Sequence, residues 1–218
     1  MFSLDKFRQE YDVEQTDYRV GDHAFKFFIP RKIDRFINQD DLFTGFPLWS
    51  KIWEATAVLS LHLSNIKPDP DKRWLEIGAG MGIAGIVAAK MGHKITITEY
   101  NKDAINFARA NALLNNIDNV EIRELDWNQP IIEGKFDYII ASEVVYKEED
   151  IMGLYLLFQR YLKPFGTIIL AEGMRRTTMT FVREMEKHYT LSMKKQDMKS
   201  KEREIPVILF KLTPKILK

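Results

Sequence analysis

The sequence of 218 residues contains no cysteine. That absence removes disulfides, thiolate metal sites and a cysteine nucleophile together, and it suits a reducing compartment. The four histidines are scattered without ligand spacing, so no metal is expected. No apolar run approaches the roughly eighteen residues that a membrane span requires. The opening "MFSLDKFRQEYDVEQ" lacks the basic start and apolar centre of an export signal. A surplus of one charge sign is missing too. The 32 basic and 31 acidic side chains leave a formal net charge of +1, too small for a global field that grips a polyanion. Neither a membrane nor a nucleic acid is therefore an expected partner, and a cytoplasmic location is expected. Hydrophobic residues make up 45% of the chain, enough at this length to bury the core of a globular domain.

What is present is, first, a change of rhythm along the chain. The residues to about Glu14 read as a short helix or a loosely held arm. "DYRVGDHAFKFFIP" alternates apolar and polar residues on both sides of Gly21 and Asp22, which predicts a β-hairpin. "RKIDRFINQDDLFTGFP" reads as a loop, and "WEATAVLSLHL" has helical spacing. From there short apolar runs alternate with amphipathic stretches, the pattern of a parallel sheet flanked by helices. Strands are expected at "RWLEI", "KITITE", "VEIREL", "FDYIIAS" and "GTIILAE". Helices are expected at "GIAGIVAAKMG", "KDAINFARANALLNN", "IMGLYLLFQRYL" and "MTFVREMEKHY", with Asn101 as an N-cap. The tail from Tyr189 to Leu212 predicts a last antiparallel hairpin at the sheet edge, with the basic stretch "KKQDMKSKER" as its solvated turn. The expected class is α/β, a doubly wound Rossmann-like sheet. An N-terminal arm and hairpin extension are assigned to residues 1–52, and the main domain to residues 53–218.

The first strand of that sheet runs into Gly78, Gly80, Gly82 and Gly85, a density that points to a ligand lying against bare backbone. Two registers compete, G-x-G-x-x-G from Gly80 and E-x-G-x-G-x-G from Glu76. Glu99, at the end of the second strand, follows the glycines at a spacing that suits an acid on the ribose of an adenosyl cofactor. NAD fits this much. A carboxylate at Glu76 is awkward beside a pyrophosphate and suits a cationic cofactor such as S-adenosylmethionine. In "LDW", Asp126 can accept from an adenine amino group and Trp127 can stack on the ring.

Together the E-x-G-x-G-x-G turn, Glu99, "LDW" and "ASEVVY" resemble the seven-strand, S-adenosylmethionine-dependent class I methyltransferases. "IWEATAVLSLHL" followed by "LEIGAGMGIAGIVAAKMGHKITITE" is similar to methyltransferase family 16, which includes protein lysine methyltransferases and nicotinamide N-methyltransferase-like members. The resemblance covers about Asp17 to Leu212. It implies a three-layer, seven-stranded fold, with Trp53, Glu76, Gly78, Ala79, Gly80, Gly82, Glu99, Asp126, Trp127 and Ser142 around the cofactor. Glu54 and Ala55 match the family's W-[DE]-A-A segment, and Thr56 departs from its last alanine. The family's [DE]-x-x-Y motif falls on Glu143 and Tyr146, with Glu in place of the commoner Asp.

These residues carry an expected chemistry. Glu143 is expected to orient the acceptor nitrogen and take its proton, with Tyr146 as the wall of the channel. Glu148, Glu149 and Asp150 would form an acidic rim that steers a cationic acceptor. The expected activity is N-methylation of a protein lysine. A small amine or pyridine acceptor is the alternative, and a cofactor-binding partner without catalysis is a third reading. The NAD oxidoreductase reading lacks a hydride-site pair after the fourth strand.

Overall fold

The computed structural model describes residues 2–37, 46–200 and 203–215. The chain opens with α1 (Leu4–Glu10), whose N-cap Ser3 accepts from the Lys6 N–H at 3.3 Å. Strands β1 (Val13–Val20) and β2 (His23–Pro30) then pair antiparallel about Gly21, which takes φ +54° at the turn. Short 3-10 turns follow at Asp34–Phe36 and Leu48–Ser50. Part of the loop expected between them, residues 38–45, lies outside the described residues. The remaining elements are α2 (Glu54–Ser64), β3 (Arg73–Glu76), α3 (Ile83–Lys90), β4 (Lys94–Glu99), α4 (Lys102–Leu114), β5 (Glu121–Glu124), β6 (Phe136–Ser142), α5 (Asp150–Tyr161), β7 (Leu162–Gly173), α6 (Arg176–Met185), β8 (Tyr189–Ser200) and β9 (Arg203–Pro214).

Seven strands form one sheet in the order β5-β4-β3-β6-β7-β9-β8, separate from the β1–β2 hairpin. Strands β3 to β7 are parallel, and β9 enters antiparallel between β7 and β8. Chain order reverses between β3 and β6, so the crevice beyond their carboxyl ends is where such a sheet binds ligands. The final hairpin is as expected, but its turn is narrower. The basic stretch assigned to a turn is mostly β8, an edge strand whose lysines discourage pairing with another chain.

Strand side chains alternate between two cores. Trp74, Ile97, Ile140 and Ile169 face a layer with α2, α3 and the hairpin phenylalanines, whereas Leu75, Ile77, Ile139 and Leu170 face α5 and α6. The arm and hairpin share the first of these cores. Their attachment is polar as well, because Asn111 of α4 and the C-cap residue Asn115 do the work of a neighbouring strand along β2. Asn111 Oδ1 accepts from Phe28 N–H at 2.7 Å, and its Nδ2 donates to Phe28 C=O at 3.3 Å and Met81 C=O at 3.1 Å. One turn later, Asn115 accepts from Lys26 N–H at 3.1 Å and donates to Lys26 C=O at 2.7 Å.

Asn111 is fully buried, so Asn111→Ala strips three backbone groups of partners that water cannot replace. A loss of about 2–4 kcal/mol in urea unfolding is expected. A loss below about 0.5 kcal/mol would show that the hairpin is held by its apolar contacts alone.

Candidate active site

A cavity of about 570 Å³ opens at the carboxyl ends of β3, β4, β5 and β6. Its floor is the turn after β3. Gly78 and Gly80 take φ +58° and +54°, in the left-handed region that disfavours other residues. A Cβ on Gly78 would lie 2.8 Å from Val144 Cγ1 and 3.3 Å from Trp127 Cζ3, so bare backbone is a packing requirement there. Ala79, between them, donates its N–H to Thr98 C=O at 3.0 Å and also lines the cavity.

Glu99 closes one end. Its Oε2 accepts from Gly80 N–H at 2.8 Å, and its Oε1 accepts from the N–H groups of Tyr100 and Asn101 at 2.7 and 2.9 Å. A carboxylate offers about four lone pairs, so these three bonds leave capacity for one hydroxyl. Asp126 and Trp127 line the cavity from the segment after β5, with Asp126 Oδ1 accepting from Asn128 N–H at 2.8 Å. Trp127 sits against Gly153 of α5, 3.8 Å from a Cβ built there. Trp53 lines the opposite wall, its indole N–H donating to Leu48 C=O at 2.8 Å and Lys51 Nζ lying 4.4 Å from its ring centroid. Ser142 also faces the cavity, where its hydroxyl meets that of Thr56 at 3.0 Å. The departure at Thr56, on α2, is thus answered by a polar partner at the end of β6.

Two of the expected cofactor residues lie elsewhere. Glu76 does not line the cavity and is only 2% exposed. It shares the face of Trp74 by strand alternation, which turns its carboxylate under α3 against Gly85, where any side chain would collide with it and with Ile97. Burial pushes this acid up to about 8, with the Glu99 charge adding to the rise and the Gly85 N–H opposing it. Gly82 is the left-handed N-cap of α3, and it is bare because a Cβ would lie 2.9 Å from Ala108 of α4. Gly82 and Gly85 therefore serve helix packing, while Gly78 and Gly80 serve the cavity. That separates the two registers.

At the other end stand Glu143 and Tyr146, as expected, but Glu143 is not an open carboxylate. Its Oε1 accepts from Gly173 N–H at 3.1 Å and its Oε2 is ion-paired with Arg175. Each oxygen already has one partner, which leaves about two of the carboxylate's four lone pairs. The Glu143 backbone sits at φ +53°, a strained position for a residue with a side chain. The Arg175 guanidinium lies 4.8 Å from the Tyr146 ring centroid. Burial pushes the Tyr146 hydroxyl up, and the Glu143 charge adds to this. Beneath them Glu172 is fully buried. Its Oε1 accepts from Val144 N–H at 2.9 Å, and burial followed by the Glu143 charge pushes it up to about 8. The acidic rim is largely neutralised, since Glu148 faces Arg176 at 3.7 Å and Glu149 faces Lys147 at 3.4 Å.

Residues that sequence reasoning missed are Trp49, Thr56, Glu172 and Arg175. The only available signal for the last two was their position at the carboxyl end of the fifth sheet strand. Among the described residues no cluster of potential ligands could hold a metal, and no helix is long and apolar enough to cross a membrane.

This geometry fits an adenosyl cofactor: a backbone cradle, an acid with hydroxyl capacity, and an indole beside a carboxylate. Comparison with known proteins agrees. The family described as "Lysine methyltransferase" matches residues 42–196. Protein N-lysine methyltransferase METTL21A of Mus musculus is 30% identical over 150 residues, 65% of this chain and 68% of that protein. EEF1A lysine methyltransferase 3 of Mus musculus is 30% identical over 156 residues, covering 68% and 67%. The fold is also that of P. horikoshii TYW2, solved in complex with MeSAdo. That match has a TM-score of 0.62 at 17% identity and covers 92% of this chain and 70% of that one.

Gly78→Ala should weaken S-adenosylhomocysteine binding at least about tenfold by calorimetry with the far-UV spectrum unchanged, since about 1.4 kcal/mol of strain at the cradle suffices. Unchanged affinity would mean the turn is not the cradle. Glu76→Gln tests the buried acid. Between about pH 4.5 and 8 the folded protein holds a proton that the unfolded chain has lost, so wild-type stability falls as pH rises through that window. The stability of Glu76→Gln relative to wild type should therefore rise from pH 5.5 to 7.5, by at most about 1.4 kcal/mol per pH unit. A constant difference in urea unfolding would place the Glu76 proton elsewhere.

Proposed function

Because the chain belongs to the lysine methyltransferase family, a group of S-adenosylmethionine-dependent methyltransferases, we propose that it methylates the side-chain amine of a lysine in a protein. The observation that carries this reading is a single cavity that joins the glycine turn to Tyr146. The protein acceptor is supported by the printed names of the relatives, which act on protein lysine. A cytoplasmic setting belongs to the same proposal, supported by a chain without cysteine.

When bound, S-adenosylmethionine supplies an electrophilic methyl carbon: the amine lone pair forms the new N–C bond as the C–S bond breaks, its electrons stay on sulfur, and the positive charge passes to nitrogen. In this reading Gly78, Ala79 and Gly80 let the cofactor lie against backbone, Glu99 accepts from a ribose hydroxyl, Asp126 takes the adenine amino group and Trp127 stacks on the ring. Trp53 and Ser142 border the end where transfer occurs. Tyr146 walls the acceptor channel. Alignment of amine and methyl carbon at contact distance supplies most of the acceleration in such a displacement. Glu143 is then a positioning residue, holding Arg175 and through it Tyr146.

Two measurements test the reading. In a lysate of the source organism supplied with enzyme and labelled methyl donor, label should collect in a discrete protein band as methyl-lysine. Label confined to small molecules would overturn the protein acceptor in favour of a small amine or pyridine. Glu143→Ala should keep S-adenosylhomocysteine affinity within about threefold while turnover falls about a hundredfold, the scale of a small misplacement. Unchanged turnover would remove Glu143 from the site.

A further inference from the structure

We propose that Arg175 is a positioning residue for the acceptor: by pairing with Glu143 beside Tyr146, it cancels a carboxylate charge that would otherwise hold the incoming amine as a non-nucleophilic ammonium. The inference rests on the reading that the acceptor is an amine.

Arg175 stands between β7 and α6, and the chain around it is tied down. Thr178 Oγ1 donates to Gly173 C=O at 2.9 Å and Thr177 Oγ1 to Val145 C=O at 3.0 Å, which fixes the start of α6 against both neighbouring segments. From this base the guanidinium is ion-paired through Nη2 with Glu143 and lies over the Tyr146 ring. Nη1 stops 3.9 Å from Glu172 Oε2. Neither of these last two atoms has a hydrogen-bond partner.

The charges in this corner can be counted. Glu143 contributes −1 and Arg175 contributes +1. Glu172 holds its proton below about pH 8 because it is fully buried and already faces Glu143. The corner is therefore neutral near pH 7. Lys147 and Asp150, from the start of α5, line the same cavity with opposite charges, and Lys51 lies on the Trp53 ring. One face of the Tyr146 ring is occupied by the protein's own guanidinium.

A lysine amine in water has a pKa near 10.4, so only a small fraction is nucleophilic at neutral pH. An uncompensated carboxylate within about 4–6 Å raises such a pKa by roughly one to three units and makes that fraction smaller still. With Arg175 in place the amine meets a neutral wall. Its proton can then leave to water from the channel beside that wall, and no group of the corner has to accept it.

The test is the pH dependence of methyl transfer between about pH 7 and 11.5, a window that spans the roughly 10.4 midpoint of a free lysine amine, using lysate acceptors and labelled donor, for wild type, Arg175→Gln, Arg175→Lys and the double variant Glu143→Gln/Arg175→Gln. Affinity for S-adenosylhomocysteine within about threefold of wild type identifies variants that are folded with an intact cradle. Arg175→Gln should move the acid limb of the profile upward by about one pH unit or more. Arg175→Lys should restore its midpoint, and so should the double variant, which removes both charges, even at a lower maximal rate. A loss by one constant factor at every pH in Arg175→Gln would overturn the inference and leave Arg175 a packing role. A double variant that keeps the shifted profile would overturn it as well. Label appearing on small molecules instead of protein sinks the protein-lysine reading, and the profiles are then compared on that fraction.

Discussion

The site depends on one short piece of backbone, the left-handed turn at Gly78 and Gly80 that Glu99 holds from the next strand. The Gly80 N–H bond to Glu99 Oε2 and the Ala79 N–H bond to Thr98 C=O tie this turn to the end of β4. Because Gly78 carries no side chain, Val144 from the segment after β6 and Trp127 from the segment after β5 close over it. On the other side, the Trp49 backbone oxygen would lie 3.4 Å from a Cβ placed on Gly80. Four segments far apart in sequence thus meet on a surface that a side chain at Gly78 would push apart.

That surface is coupled to the N-terminal hairpin. Asn111 bonds Phe28 and Met81 with one amide group, so the edge of β2 and the residue after the cradle share a buried hydrogen-bond network. The aromatic packing agrees. Trp49, which covers Gly80, packs 5.4 Å from Phe107 of α4 and 4.8 Å from Phe36 after the hairpin, measured between ring centroids. Shifting the hairpin would break bonds that also fix the Met81 carbonyl, and buried amides without partners are costly. The N-terminal segment is therefore part of what keeps the cavity in shape.

How far the sequence revealed this depends on what kind of signal each residue left. The alternation of strands and helices, the final hairpin and the Asn101 cap were legible because periodicity and capping are local. Gly78, Gly80, Glu99 and Trp127 were legible from their offsets relative to strand ends. Glu76 was misassigned because its chemical type outweighed its period: two residues from Trp74 on a strand, it had to share that side chain's face, and that face is covered by α3. Arg175 and Glu172 were not legible at all. Their partner Glu143 is about thirty residues earlier, and only the parallel pairing of β6 with β7 brings the segments together. Ser142 was placed at the site, but its contact with Thr56, 86 positions away on α2, was not legible for the same reason.

The use of Glu where the resembled [DE]-x-x-Y motif also allows Asp becomes a physical matter once the backbone is known. At φ +53° the Glu143 side chain leaves the chain in a direction that ordinary strand geometry does not offer, at a cost of about 1–3 kcal/mol. Such strain persists only where several contacts over-determine it. Here the Gly173 N–H and the Arg175 guanidinium each take one carboxylate oxygen. An aspartate on the same backbone would be shorter by one methylene and could not span both partners without moving β7 or releasing the arginine. A freed guanidinium would no longer be held over Tyr146, and the remaining pair of Glu172 and Arg175, already 3.9 Å apart with no bond between them, is too loose to replace it. The longer acid, the left-handed backbone and the arginine are in this sense one feature, and each accounts for the presence of the other two.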